Sequence, residues 1–155
     1  MGMELALTRH MPAVLEIETA AHMFYDEDFG VMALSEYAWD ESDFYKNCNA
    51  DGYLLSGYFS GSGKLLGFIV LYFDEITDTN RIIKLEVLRD GNEASYCNYI
   101  LNWVKERAKK QIVFLTNEAD DLKNYCLKGL GFKGELRRQA FRKMGRDGIW
   151  WRMTP

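Results

Sequence analysis

Two extended stretches, Tyr53 to Ser60 and Lys64 to Asp74, flank the tripeptide Gly61-Ser62-Gly63, and no other feature of the chain constrains its fold as much. Glycine-rich turns of this length join antiparallel strands, because glycine reaches the positive-φ conformations that tight hairpins need. The second arm carries the run LLGFIVLYF at 65–73. A strand that is apolar at nearly every position is covered on both faces, so it belongs at the centre of a sheet. Arg81 to Leu88, RIIKLEVL, reads as the third strand of the same meander.

The rest of the chain alternates helix and strand patterns. Met3 to Thr8 reads as a short strand, and Ala13 to His22 as a helix with Pro12 in its first turn. Residues 23 to 39 are aromatic and acidic and suggest a loop or short helix, followed by a helix from Asp40 to Asn47. Glu93 to Lys109 places Tyr96, Tyr99, Ile100, Trp103 and Val104 on one helical face. Gln111 to Thr116 is a strand, Asp120 to Leu130 a helix ending near Gly129 and Gly131, and Phe132 to Lys143 with Ile149 to Met153 a final strand pair. The order β-α-α-β-β-β-α-β-α-β-β predicts an α/β fold: a mixed central sheet of about six or seven strands flanked by helices. No linker-like segment divides the 155 residues, so one domain is expected over 1–155.

Charge is unevenly distributed. The net charge is −4, which does not suggest a nucleic-acid binder. Between His10 and Tyr45 there is no Lys or Arg but there are nine acids, whereas Arg137, Arg138, Arg142, Lys143, Arg146 and Arg152 make the C-terminal part basic. Such an asymmetry suits a cationic ligand at one end and an anionic one at the other; the alternative is two solvated faces. Cys48, Cys97 and Cys126 match no zinc or disulfide spacing, and free thiols suit a reducing compartment. The N-terminal segment MGMELALTRHMP has no signal-peptide stretch, and no apolar run is long enough for a membrane span. A cytoplasmic protein without membrane contact is expected. His10 and His22 have neither triad nor metal-ligand spacing around them, so no metal is expected.

From about Leu54 to Met153 the chain resembles the GNAT superfamily of acyl-CoA-dependent N-acetyltransferases. In that family the fourth strand runs into a loop and helix with the pattern V-x-P-x-x-R/Q-G-x-G-x-G/A, whose backbone N–H groups cradle the pyrophosphate of acetyl-CoA. Here Val87 ends the strand, and Ile100-Leu101 fall where the family has paired apolar helix residues. Arg89 stands at the proline position, Asn92 at the Arg/Gln position, and Glu93, Ser95 and Cys97 at the three small positions. The resemblance implies cofactor contacts from Leu85, Val87, Arg89, Asn92, Glu93, Ala94 and Ser95 and, further along the chain, from Asn117 and Lys128. It extends to Asn117 after the fifth strand and to the next helix, where Lys128 and Gly131-Phe132 recur. Leu127 stands where the family has a tyrosine that protonates the CoA thiolate. Tyr125, two positions earlier and roughly 200° around the helix, is the nearest phenol and the candidate acid.

Amine acetylation needs a neutral amine, so a base beside the fourth strand is expected. Glu86 lies on that strand, facing away from Leu85 and Val87, and is the candidate. A carboxylate within RIIKLEVL is paired, exposed or functional, and Lys84 on the same face offers a surface partner. Glu16, Glu18, Asp26, Glu27, Tyr58 and Tyr72 are weaker alternatives. The resemblance thus implies acetyl transfer from acetyl-CoA to a primary amine, and the acidic N-terminal part suggests a cationic small-molecule or peptide acceptor. The altered loop and Leu127 suit instead a non-catalytic GNAT-fold binding module. A third reading is an aminoacyl-transferase of the same fold. Trp150-Trp151, on adjacent faces of the last strand, must place one ring outside, which suggests a homodimer contact.

Overall fold

The computed structural model describes residues 2–6, 8–29, 38–141 and 146–154, and the side chains of 22–29 lie outside the described residues. The Gly61-Ser62-Gly63 hairpin forms as expected. β2 (Tyr53–Phe59) and β3 (Leu65–Asp74) pair antiparallel, and the turn closes with Ser60 N donating to Lys64 O at 2.8 Å. Gly63 takes φ +86°, the left-handed conformation that the turn demands of it. β4 (Thr79–Val87) completes the meander and β1 (Gly2–Leu5) adds to the free edge of β2. β5 (Gln111–Asn117) runs parallel to β4, and β6 (Lys133–Phe141) and β7 (Arg146–Met153) close a seven-stranded sheet in the order β1-β2-β3-β4-β5-β7-β6.

The helices are α1 (Met11–Phe29), α2 (Glu41–Cys48), α3 (Glu93–Arg107) and α4 (Asp121–Gly129). α1 runs past its expected end at His22, because the sequence has neither Gly nor Pro between Ala13 and Gly30 to stop it. α2 opens on a capping box in which Asp40 and Asp43 accept each other's backbone N–H at 2.8 and 3.1 Å. β7 begins at Arg146 rather than Ile149, drawn into the ladder by a pairing of Arg146 with Phe141.

Each face of the sheet has its own core. Ile69, Leu85, Val87, Ile100, Leu101, Phe114, Leu127 and Trp151 form the cluster under α3 and α4. Val14, Ile17, Phe44, Phe68 and Val70 form the one under α1 and α2. β3 is buried at every position from Leu65 to Val70, as a strand covered on both faces must be. Gly67 lets α3 approach the sheet closely: a Cβ there would meet Ile100 Cδ1 and Val87 Cγ1 at 2.9 Å. Among the described residues no helix is long and apolar enough to cross a membrane.

Candidate active site

The sheet divides at its centre. β4 and β5 form a parallel ladder only from Thr79–Gln111 to Ile82–Phe114. Beyond it β4 stays with β3, reaching Gly67↔Val87 and Leu88 N to Leu66 O at 2.8 Å, while β5 stays with β7 as far as Asn117↔Gly148. The interval between the two strands opens as a wedge. One side is the backbone of β4 from Leu85 onward, no longer bonded to β5.

Glu86 lies on this stretch. It is in register with Phe68, whose ring meets Phe44 of α2 edge-on at 5.6 Å, so Glu86 points to the α1–α2 face. Its partner comes from elsewhere: Lys123 Nζ of α4 donates to Glu86 Oε1 at 2.7 Å and lies 3.1 Å from Asp120 Oδ2. α4 packs beside α3 on the opposite face, so the Lys123 side chain threads the wedge between β4 and β5 to reach Glu86. Glu86, Lys123 and Asp120 are 3, 8 and 5% exposed, and charges this deep persist only in mutual pairing. Asp120 also caps α4, accepting Lys123 N at 3.3 Å, which holds the lysine's backbone against the same carboxylate.

The expected surface pair between Glu86 and Lys84 is corrected by this geometry. Both residues are buried, and each takes a partner from a different helix: Glu86 from α4, Lys84 from α1. Lys84 Nζ meets Glu18 Oε2 of α1 at 2.8 Å and stands 5.0 Å from the Trp39 ring, while Trp39 N donates to the same Glu18 oxygen at 3.3 Å. Of the alternative bases, Glu18 is thus committed to Lys84, Glu16 is exposed, and the side chains of Asp26 and Glu27 lie outside the described residues. Tyr58 is buried and stacked on Tyr99 at 4.2 Å, and burial pushes its hydroxyl above the usual tyrosine range. Tyr72 packs against Tyr53.

The loop after β4 is held by its own carboxylates. Asp90 accepts Asn92 N at 3.0 Å and the Tyr96 hydroxyl at 2.8 Å; the Tyr96 hydrogen bond holds the Asp90 carboxyl below its usual range. Glu93 folds back to accept Gly91 N at 2.5 Å, with Gly91 at φ +99°. Asn92, the N-cap of α3, makes no side-chain cap bond, so the first-turn amides are left to other acceptors. Ala94, Ser95 and Asn98 face Tyr125, Lys128 and Gly129 across a groove of about 630 Å³ between α3 and α4. Leu85 and Val87 are buried under α3, and Arg89 is half-buried at the end of the strand. Tyr125 is 76% exposed on the groove, whereas Leu127 is in the core.

Below the groove, Cys126 Sγ donates to Ala94 O at 3.6 Å and the Cys97 thiol meets the Cys126 sulfur. That hydrogen bond and burial push the Cys97 thiol up. Asn117 spends its side chain on the turn into α4, accepting Ala119 N at 3.0 Å. Asn124 Nδ2 holds the Asn117 carbonyl at 3.1 Å, and Trp151 Nε1 donates to Thr116 Oγ1 at 3.0 Å, pinning α4 to β5 and β7. Trp151 is therefore the inward ring and Trp150 the outward one, 6.0 Å from the Arg81 guanidinium. Among the described residues no group of three or more His, Cys, Asp or Glu could hold a metal.

Lys123 and Asp120 were not expected at the site. One local signal existed: a lysine in the first turn of a helix opposes the helix dipole, so it needs a carboxylate. Nothing local indicated that the carboxylate lies 37 residues away.

A mixed sheet split between its fourth and fifth strands, with a helix N-terminus at the split, defines the class of the fold. No protein-family model and no curated sequence matches the chain. Solved structures do, over nearly the whole length. A GNAT superfamily phosphinothricin acetyltransferase from Sinorhizobium meliloti in complex with AcCoA matches with TM-score 0.75 at 14% identity, covering 98% of this chain and 86% of that one. Spermidine N-acetyltransferase from Vibrio cholerae, in complex with CoA and spermine, matches with TM-score 0.76 at 9% identity, covering 98% and 94%. The ribosomal-protein-S18-alanine N-acetyltransferase from Escherichia coli matches with TM-score 0.70 at 18% identity, covering 98% and 92%. The chain has the fold of the GNAT N-acetyltransferases.

Proposed function

We propose that the protein is an acyl-CoA-dependent N-acetyltransferase, moving an acetyl group from acetyl-CoA to a primary amine by direct transfer. The observation that carries this reading is the wedge itself: unladdered β4 backbone beside a buried carboxylate, Glu86, already hydrogen-bonded to an ammonium at 2.7 Å. The residues present fit acetyl-CoA. The α3 N-terminus has no side-chain cap, and Ala94, Ser95 and Lys128 line the adjoining groove, a setting that suits an anionic phosphate. The backbone of β4 at Leu85 and Val87, and of Arg89 just beyond it, offers amides for the pantetheine arm, and the bound thioester would supply the activated carbonyl. Glu86 takes the proton of the acceptor amine, and Tyr125, at the groove, is the candidate donor to the leaving sulfur.

The exposed acids Glu16, Asp40 and Glu41 support a cationic acceptor, and the similar structures include enzymes named for spermidine and for aminoglycosides. Free Cys48, Cys97 and Cys126 suit a cytoplasmic setting. One observation favours a second reading, a non-catalytic binding module: the Asp90 and Glu93 carboxylates already take two loop amides. Calorimetry with acetyl-CoA and with CoA separates the two. Saturable binding of both is expected, and its absence at millimolar ligand leaves only the binding module.

A further inference from the structure

We propose that Lys123 is itself an acetyl acceptor, so that the protein modifies the side chain that fills its own wedge. The inference rests on the reading above, in which the wedge receives acetyl-CoA. A general base must stand within hydrogen-bond reach of the proton it removes, and Lys123 Nζ meets that condition at 2.7 Å from Glu86 Oε1. The amine is also confined. Asp120 holds its Nζ at 3.1 Å and its backbone N–H at 3.3 Å, so little conformational freedom remains to be lost before reaction. Finally, the side chain passes between β4 and β5 where their ladder has ended, because it starts from the α3–α4 face and ends on Glu86, which faces α2 through its register with Phe68. A thioester entering that interval meets a primary amine already in proton-transfer contact with a carboxylate.

The step balances without an added reagent. The Lys123 ammonium gives one proton to Glu86, which frees the Nζ lone pair. A C–N bond forms at the acetyl carbonyl, and the C–S bond breaks with its electron pair going to sulfur. The second proton lost from nitrogen goes to that sulfur, giving the CoA thiol, and Glu86 releases its proton to solvent. The acetylated side chain is neutral, so the ion bridge from α4 to β4 is broken.

The test is to incubate folded protein with acetyl-CoA and no acceptor, then digest it and map acetylation by mass spectrometry, with CoA calorimetry run alongside. Lys123, though buried, is expected to gain one acetyl group before the exposed Lys64 and Lys110. This preference is expected to vanish in protein unfolded by urea, and in Glu86→Gln where that variant folds. CoA binding with Lys123 unmodified, or modified no faster than Lys110, overturns the proposal while leaving the proposed function standing. Absence of CoA binding overturns both. The unsubstituted protein decides the matter alone, so the proposal does not depend on a variant folding.

Discussion

Glu86 is buried on its strand: Phe68 is opposite it in register, Lys84 lies two residues before it on the same face, and Lys123 meets it from α4. In such a place a carboxylate that takes a proton does so from whatever amine is delivered to it. Glu86→Gln keeps the shape and a hydrogen-bond acceptor but removes the proposed base. Turnover is expected to fall by about 10²- to 10⁴-fold, with the CoA dissociation constant unchanged within about twofold. Steady-state kinetics and calorimetry on the same sample check this, and a loss of CoA affinity without a loss of kcat is the opposing result. Glu86 was legible in the sequence because one carboxylate in an otherwise apolar strand demands an explanation. Lys123 was not, because periodicity reports an element's own face and carries no information about a partner in a distant element. Lys84 shows the same limit: its neighbour in sequence was the obvious partner, and its partner in space is Glu18.

Among the elements, the loop from Leu88 to Asn92 and the start of α3 are, in the proposed function, what accepts the pyrophosphate. Glu93 lies at the first position of the helix, where its charge suits the dipole and competes with any other anion. Glu93→Ala is expected to tighten CoA binding by about 1 kcal/mol, roughly fivefold, since a like charge near a phosphate is removed; calorimetry at low and high salt measures it, and the gain should shrink as salt screens. The same loop has an acid signature. The Asp90 carboxyl is lowered by the Tyr96 hydroxyl, so its contribution to stability is present above the ordinary carboxylate range and is lost as pH falls through the lowered folded value. Melting temperature is therefore expected to drop below about pH 4, and Asp90→Asn to flatten that acid limb; an unchanged slope removes Asp90 from the account. The strand order was legible because the glycine turn, the apolar run and the alternation of helix and strand periods agree with one another. Element ends were less so. α1 overran its expected end because aromatic, acidic composition suggested a loop where nothing in fact interrupts the backbone.

Across the whole molecule, β4 is where both helical layers are fastened to the sheet. Glu18–Lys84 ties α1 to it from one side, and Lys123–Glu86 ties α4 to it through the wedge from the other. Isolated buried charges are costly while matched apolar replacements are not. Glu18→Leu alone is expected to destabilise the fold by about 3–5 kcal/mol, with Glu18→Leu combined with Lys84→Met recovering most of the loss in urea denaturation. The two ties differ in what ligand does to them. The Glu18–Lys84 pair is made on the α1 side of β4, whereas the Lys123 bridge crosses the wedge where the thioester would enter. Acetyl-CoA at a hundredfold excess over its dissociation constant should contribute about 2.7 kcal/mol of stability, or about 5 to 10 °C in melting temperature. Because the Lys123 side chain crosses the wedge, Lys123→Met changes what the ligand meets there, and its stabilisation by CoA should differ from that of the unsubstituted protein. A CoA-induced shift that is the same in both proteins places the ligand outside the wedge, and with it the acetyl group outside the reach of Glu86.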